Sequence, residues 1–186
     1  LLGSDVYGKT LGIVGIGQIG QAVARRALGF NMRILYHDQW ELPPVAEQLL
    51  HADDVSLEEL LQQSDFVTLH VPLLPETHHL IGARELEMMK PTAYLINASR
   101  GPVVDETALV EALRNGVIKG AALDVFEEEP AMKPGLAELD NVVVVPHLGS
   151  ATIETRTAMA DLAVDNLLAF FSGERPPTPV NPEVLG

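Results

Sequence analysis

Three glycines near the start of the chain have the spacing of a phosphate-binding loop. Gly15, Gly17 and Gly20 form a G-x-G-x-x-G segment that follows the apolar run at residues 11–14 and opens the helical pattern at residues 18–29. In this setting the first glycine permits a tight turn, the second lets a pyrophosphate approach the backbone, and the third lets helix and strand pack closely. The N–H groups at the helix N-terminus then favour an anion. The alternative interpretation is a glycine-rich turn without a ligand.

Asp38 ends the second apolar run, close to the ~20-residue spacing at which such a fold places an acid against the adenosine ribose. A carboxylate there accepts hydrogen bonds from ribose hydroxyls and repels a 2′-phosphate. Gln39 offers no positive charge to hold such a phosphate. The pattern therefore predicts NAD in preference to NADP, with Trp40, the only tryptophan, beside the adenine. The alternative is that Asp38 is a turn residue.

Short apolar runs alternate with stretches of helical period, which is typical of βα units around a parallel sheet. The runs are almost uniformly apolar, as expected for strands covered by helices on both faces. They predict a Rossmann-type, doubly wound α/β fold with strands at residues 10–14, 33–36, 65–70, 93–96, 120–123 and 142–145. The predicted helices span residues 18–29, 56–63, 105–115 and about 152–172. Ser56 and Asp105 are the expected N-caps, and Gly116 and Gly173 the expected C-terminal stops.

The composition excludes several classes of function. The 186 residues include 12 basic and 26 acidic side chains, and the formal net charge of −14 disfavours nucleic acid and membrane surfaces as partners. No apolar run approaches the ~20 residues of a membrane-spanning helix. There is no cysteine, which excludes disulfides and thiolate chemistry and is compatible with the cytoplasm. No metal site is predicted, because the pair His78–His79 has no partner at metal-ligand spacing.

Three further segments follow the glycine loop, at residues 97–101 (NASRG), 122–130 (ALDVFEEEP) and 145–152 (VPHLGSAT). With them, essentially the whole chain resembles the D-isomer-specific 2-hydroxyacid dehydrogenase family, and most closely its glyoxylate/hydroxypyruvate reductase branch. Phosphite dehydrogenase is built on a similar pattern. The resemblance implies an oxidoreductase that transfers a hydride between NAD(H) and a small D-2-hydroxy acid or 2-keto acid.

The resemblance also implies which residues do the chemistry. Arg100 matches the family arginine, whose guanidinium holds a substrate carboxylate and polarises the neighbouring carbonyl, although a structural salt bridge is the alternative. His147 matches the acid/base histidine, since an imidazole titrates near neutrality. Glu129 matches the carboxylate that supports this histidine, with Glu127 as the alternative. Glu127 and Glu128 are otherwise expected to be exposed.

Further contacts with the cofactor are implied in the same way. Asp124 is expected to hydrogen-bond the nicotinamide side, or alternatively to cap a turn or helix. His70 is interpreted only as the end of a buried strand. The complete predicted set of cofactor-binding residues is Gly15, Gly17, Gln18, Ile19, Gly20, Asp38, Val71, Pro72, Thr77, Ala98, Ser99, Arg100, Asp124, His147, Gly149 and Ser150.

Family members have two lobes, and this chain matches the cofactor lobe. We predict one dinucleotide-binding domain over residues 1–186, with a compact core at about 6–173 and an irregular proline-rich tail at 174–186. The opening Leu1-Leu2-Gly3 indicates a fragment. The resemblance implies that the substrate lobe is missing and that the fragment is inactive alone. The family implies a homodimer. A second hypothesis is a module that senses NAD, because the C-terminal-binding-protein corepressors resemble the same family and keep the three catalytic residues.

Overall fold

Seven parallel strands form one sheet in the part of the chain that ends at Pro146. The structure, a computed structural model, describes residues 3–185, so the opening Leu1 and Leu2 lie outside the described residues, as does Gly186. The strands are β1 Thr10–Val14, β2 Arg33–His37, β3 Ala52–Asp54, β4 Phe66–Leu69, β5 Tyr94–Asn97, β6 Gly120–Leu123 and β7 Val142–Val144.

The strand order is β3-β2-β1-β4-β5-β6-β7, so the direction of winding reverses between β1 and β4. Gly12 of β1 is in register with Leu35 of β2 on one side and with Val67 of β4 on the other. In open α/β sheets, ligands bind outside the carboxyl ends of the strands at such a reversal. The order confirms the predicted Rossmann-type fold and places the glycine loop, which follows β1, at the reversal.

Helices cover both faces of this sheet. The helices of this unit are α1 Gln18–Ala27, α2 Pro44–Leu50, α3 Leu57–Gln63, α4 Ala83–Met88 and α5 Glu106–Arg114. Ile34 and Tyr36 of β2 belong to one buried apolar cluster, and Leu35 between them belongs to another. Because neighbouring side chains of a strand point to opposite faces, the two clusters are the two faces of the sheet.

The predicted caps Ser56, Asp105 and Gly116 are confirmed, whereas the predicted end of the first helix differs. Ser56 Oγ accepts a hydrogen bond from Glu59 N at 3.2 Å, and an Asp105 carboxylate oxygen accepts one from Ala108 N at 3.0 Å. Gly116 follows α5 with a φ of +68°, the left-handed conformation that ends many helices. The pattern at residues 18–29 is α-helical only as far as Ala27 and continues as a short 3-10 helix, Leu28–Phe30.

The second unit, from His147 onward, contains one long helix, α6 Ile153–Phe171. Thr152 caps it by accepting a hydrogen bond from Thr155 N at 3.1 Å, and Gly173 follows it with a φ of +76°. The expectation of a wholly irregular tail is wrong at one place, because Pro182–Leu185 form a short 3-10 helix. Between residues 3 and 185, no helix combines the length and apolar character needed to cross a membrane.

Candidate active site

The glycine loop is shaped by close backbone contacts. Gly15 has a φ of +95°, and a Cβ at this position would lie 2.7 Å from the His70 carbonyl carbon and 2.8 Å from Val71 N. A Cβ at Gly20 would overlap with the Gly15 carbonyl oxygen. Side chains at these two positions are therefore excluded by the protein itself, through the turn and through the packing of α1 against β1.

Gly17 differs from the other two glycines of the loop, Gly15 and Gly20. A Cβ there would meet nothing within 4 Å, and its φ of −64° is accessible to any residue. Gly17 is the N-cap of α1, and no side chain among residues 3–185 caps this helix. Gly17 also lines a pocket together with Asp38, and the N–H groups of Gln18 and Ile19 are the first of α1, where a helix favours an anion.

Asp38 is held beside this loop by two backbone N–H groups. Its Oδ2 accepts a hydrogen bond from Ile16 N at 2.7 Å, and its Oδ1 accepts one from Gln39 N at 2.7 Å. The first bond ties the end of β2 to the glycine loop. An ionised carboxylate favours such N–H donors, and its remaining lone pairs can accept from a ribose.

Tyr36 supports the segment that follows Asp38. Its hydroxyl donates to Glu47 Oε1 at 2.7 Å and accepts from Leu42 N at 3.0 Å. Burial raises the pKa of Tyr36 to about 12, so the hydroxyl stays protonated as a donor. Tyr36 has no role in the sequence-based prediction, because a tyrosine within an apolar strand has the same pattern as a core residue.

A pocket of about 340 Å³ opens between these elements. It lies at the reversal of the sheet, where β1, β2 and β4 end. Its walls come from the glycine loop, the end of β2 and the loop after β4, and include Gly15, Gly17, Asp38, Trp40, Val71, Pro72, Leu74, Glu76, Thr77 and Leu80. Trp40 lines this pocket together with Asp38, and 78% of its surface is exposed, while its contact with an adenine stays a prediction.

A second pocket, of about 460 Å³, shares three lining residues with the first: His70, Val71 and Pro72. Its other walls are Ile19, Leu73, Ala98, Ser99 and Arg100. The two pockets together form a groove along the carboxyl edge of the sheet, from Trp40 at one end to Arg100 at the other. This groove brings together most of the predicted site residues that lie before Pro146.

His70 lies where the two pockets meet. Its ring Nε2 is 3.0 Å from Thr68 Oγ1, and burial lowers the pKa of the imidazole, which favours the neutral ring. The sequence-based interpretation treated His70 only as the end of a strand. Its place in both pockets depends on the strand order, since β4 becomes the neighbour of β1 only through the crossover.

Thr77 lines the first pocket, but its hydroxyl is used within its own loop. The hydroxyl donates to Pro72 O at 2.6 Å and accepts from Leu74 N at 2.8 Å. These bonds close residues 72–77 into a compact wall. Within this structure the hydroxyl shapes the wall, and a direct bond from it to a cofactor stays a prediction.

The loop that carries Arg100 is braced by Asn97, the last residue of β5. Asn97 Oδ1 accepts from Ser99 N at 3.0 Å and from Ser99 Oγ at 2.9 Å, and Asn97 Nδ2 donates to Arg100 O at 2.9 Å. The exposed Arg100 side chain donates one hydrogen bond to Ser99 O at 2.7 Å. No salt bridge of Arg100 within 4 Å is found among residues 3–185. Its guanidinium therefore retains donors for a carboxylate.

The three consecutive glutamates at residues 127–129 differ in exposure from what the sequence predicts. Glu128 is exposed as predicted, but the expectation that Glu127 is exposed is wrong: its side chain is 15% exposed, and its Oε1 is 2.7 Å from His79 Nε2. Glu129 is exposed and its Oε1 accepts from Phe126 N at 3.2 Å. The contact with Glu127 gives His79 a partner that the sequence did not predict.

The remaining predicted residues follow β6 and β7. Asp124 comes directly after β6, and its N–H donates to Asn97 O at 2.9 Å, which aligns it with the end of β5. His147 begins the second unit and has a φ of +53°. Gly149 and Ser150 lie in the loop before α6, where Ala151 N donates to Leu148 O at 2.9 Å. The contacts of these residues with a cofactor stay predictions.

Comparison with known proteins agrees with this geometry. The model of the D-isomer specific 2-hydroxyacid dehydrogenase NAD binding domain matches residues 1–149. A glyoxylate reductase from Thermococcus gammatolerans is 59% identical over 184 residues, which cover 99% of this chain and 55% of that protein. The chain thus spans about half the length of the curated relatives that it matches.

Two solved structures are also similar. The TT0316 protein from Thermus thermophilus superposes with a TM-score of 0.89 at 51% identity, over 96% of this chain and 56% of that one. An NADPH-dependent glyoxylate/hydroxypyruvate reductase from Sinorhizobium meliloti superposes with a TM-score of 0.85 at 41% identity, over 94% of this chain and 54% of that one. Since the family model covers most of the chain, the chain belongs to the D-isomer specific 2-hydroxyacid dehydrogenase family, as its NAD-binding domain.

Proposed function

We propose that this chain is the cofactor-binding half of an NADH-dependent reductase that converts a small 2-keto acid, such as glyoxylate or hydroxypyruvate, into the D-2-hydroxy acid. The observation that carries the proposal is the groove that runs from Asp38 and Trp40, past the glycine loop, to Arg100. One end of this groove suits an adenosine and the other presents a cation with unused donors. A dinucleotide and an anionic substrate fit these two ends.

The preference for NAD over NADP rests on Asp38. Two N–H groups hold its carboxylate at the rim of the adenosine end, where it accepts from ribose hydroxyls. A 2′-phosphate at the same place would meet a fixed negative charge, and no lysine or arginine lines this pocket among residues 3–185. The Sinorhizobium meliloti relative is NADPH-dependent, so the preference of this chain for NAD is tested by titration with both cofactors.

The proposed chemistry assigns one task to each of three side chains. When bound, the reduced nicotinamide supplies a hydride to the carbonyl carbon of the 2-keto acid. Arg100 binds the substrate carboxylate and withdraws electron density from the neighbouring carbonyl. A ring nitrogen of His147 gives its proton to the carbonyl oxygen as that oxygen gains the electron pair of the C=O bond. Glu129 favours the protonated imidazole and holds its orientation.

The proposal extends to assembly and location. All 186 residues are taken as one dinucleotide-binding domain that meets a substrate lobe. Helix α6 exposes a series of large apolar side chains, which supports burial of this helix by a second copy or by that lobe. They are Ile153, Met159, Leu162, Val164, Leu167, Leu168, Phe170 and Phe171. A homodimer in the cytoplasm is the arrangement we propose, in keeping with the lack of cysteine.

Titration of the chain with NADH and then with NADPH tests the cofactor assignment. Trp40, the only tryptophan, lines the adenosine pocket, so its fluorescence reports binding directly. We expect saturable quenching by NADH and a Kd for NADPH at least about tenfold higher. No quenching by either in a folded chain would refute the groove as a cofactor site, whereas equal quenching would remove only the role of Asp38. Glyoxylate-dependent oxidation of NADH by the complete enzyme then tests the reaction.

A further inference from the structure

A cluster of four ionisable side chains lies directly behind the loops that carry Arg100 and Glu129. It consists of Glu106, Glu127, His79 and Lys133, and the sequence-based prediction gives none of them a settled function. None of the four lines the groove described above. The cluster therefore needs an explanation other than contact with cofactor or substrate.

Glu106 is the most buried member, with 1% of its surface exposed. It is the first residue of α5, and its Oε1 accepts a hydrogen bond from Glu127 N at 2.7 Å. Burial raises the pKa of Glu106, while the N–H groups of Glu127 and Lys133 act in the opposite direction. A buried carboxyl group is costly unless it is hydrogen-bonded. Here the bond that offsets part of this cost fixes the backbone two residues before Glu129.

The side chain of Glu127 connects this backbone to another loop. Its Oε1 is 2.7 Å from His79 Nε2, and its Oε2 is 3.6 Å from Lys133 Nζ. The backbone N–H of His79 donates to Pro102 O at 2.8 Å. Since Pro102 follows Arg100 by two residues, His79 joins the segment that carries Glu129 to the segment that carries Arg100.

The two segments also touch directly. A Cβ at Gly101 would overlap with the Phe126 carbonyl group and with Glu127 N. The backbone next to Arg100 is therefore packed against the backbone that leads to Glu129. In the same turn, Phe126 N donates to Glu129 Oε1 at 3.2 Å, so a shift of this backbone moves the Glu129 carboxylate as well.

We propose that Glu106, Glu127 and His79 are positioning residues that fix the carboxylate of Glu129 relative to the Arg100 loop. Glu106 holds the Glu127 backbone, and the Glu127–His79 pair holds the two segments together. None of the three touches substrate or cofactor, and each acts through the placement of its neighbours. The proposal rests on the proposed function, which assigns Glu129 to the support of His147.

The test measures the pH dependence of kcat for glyoxylate reduction in the complete enzyme. Two variants disrupt the cluster: Glu106→Ala removes the acceptor for Glu127 N, and His79→Asn removes the contact with Glu127. Asparagine tolerates the positive φ of +51° at position 79, so the second variant keeps the backbone geometry. Glu106→Gln retains an oxygen acceptor and serves as the conservative variant. Glu128→Gln is the matched control, because it removes an exposed carboxylate of the same turn. This carboxylate pairs with Lys133 at 2.7 Å and, in the described part of the chain, forms no hydrogen bond or ion pair with any of the three proposed positioning residues.

We expect Glu106→Ala and His79→Asn to lower kcat by about 10- to 100-fold, as small displacements of catalytic groups do. We expect both to move the basic limb of the pH profile toward acid, because the proposed support of His147 by the Glu129 carboxylate is weakened. Glu129→Gln should move the limb in the same direction. Glu106→Gln and Glu128→Gln should stay near wild type, and the Kd for NADH should change less than about twofold in all variants.

Other outcomes separate the two proposals. Unchanged kcat and pH profile in Glu106→Ala and His79→Asn, with a shifted profile in Glu129→Gln, would overturn the positioning role and leave the proposed function intact. An unshifted profile in Glu129→Gln would overturn the role of Glu129 and the positioning proposal with it. If Glu106→Ala does not fold, His79→Asn decides alone, because its side chain is 36% exposed and tolerates replacement better.

Discussion

Replacing Gly17 by alanine tests cofactor binding without disturbing the fold. At Gly15 and Gly20 a Cβ would strike backbone atoms, so a loss of binding in those variants could not be told from a loss of structure. At Gly17 a Cβ would meet no protein atom within 4 Å, and the φ of −64° suits alanine. Among residues 3–185, apart from its chain neighbours, an added methyl group obstructs no protein atom there, so it acts on a bound molecule.

The size of the effect follows from what the methyl group displaces. Alanine is a poorer N-cap than glycine, which costs about 0.5–1 kcal/mol of the free energy of unfolding. In the bound state, the methyl group keeps the pyrophosphate from the N–H groups at the start of α1. Losing one charge-assisted hydrogen bond costs about 1.5–3 kcal/mol, so the Kd for NADH should rise by about 10- to 100-fold.

The assay combines quenching of Trp40 fluorescence by NADH with unfolding in urea, both on the same chain. Gly29→Ala is the matched control, since its Cβ would also meet nothing within 4 Å and Gly29 lies in the 3-10 helix after α1, away from the pocket. We expect the control to bind NADH as the wild type does. Wild-type affinity in Gly17→Ala, with the fold intact, would refute a pyrophosphate over Gly17 and with it the phosphate-binding role of the loop.

Four further predictions follow from the site. Asp38→Asn keeps an acceptor for Ile16 N but removes the negative charge, so the Kd for NADPH in a fluorescence titration should fall at least about tenfold relative to that for NADH; an unchanged ratio would contradict the role of Asp38. His147→Ala should lower kcat of the complete enzyme by about 10²- to 10⁴-fold and lower NADH affinity far less, and unchanged turnover would exclude it as the acid. Tyr36→Phe leaves the N–H of Leu42 without its partner, so urea unfolding should show a loss of about 1–3 kcal/mol. Burial lowers the pKa of His70, so the unfolded state takes up a proton more readily than the folded state. The free energy of unfolding should therefore fall as the pH drops below about 6.5 and through the lowered pKa of the folded state. His70→Asn should flatten this dependence in urea titrations at about pH 5–8.

The elements with strong local signals could be predicted from the sequence. The predicted strands and four helices are present, because uniform apolar runs and helical periodicity reflect burial in this sheet. Short elements were missed. Strand β3 is Ala52–Asp54, whose two aspartates are exposed, and α2 and α4 have only seven and six residues. Such elements are formed by their neighbours, so their own sequence carries little periodicity.

Within the site, the residues predicted best from the sequence are those that directly follow a strand, because the strand itself fixes their position. The glycine loop and Asp38 lie at the ends of β1 and β2, and their adjacency follows from parallel pairing. The acidic run is a contrasting case, because three consecutive glutamates have the same local pattern. What separates Glu127 from Glu128 is contact with His79 and Glu106, which are distant in sequence and meet only in the folded sheet.

The strand order also divides the groove into two parts with different tasks. The proposed adenosine end is built by loops after β1, β2 and β4, whereas Arg100, at the other end, follows β5. Glu129 follows β6 and is not among the lining residues of the two pockets. The bond from Asp124 N to Asn97 O and the packing of Gly101 against Phe126 join the loops after β5 and β6, and the bond from Ile16 N to Asp38 joins the loops after β1 and β2. His70, Val71 and Pro72, at the junction, line both parts. Changes near β1 and β2 should therefore alter cofactor affinity with little effect on kcat, and changes behind β5 and β6 should do the reverse. A variant of the Glu106 cluster that weakened NADH binding as strongly as Gly17→Ala would contradict this division.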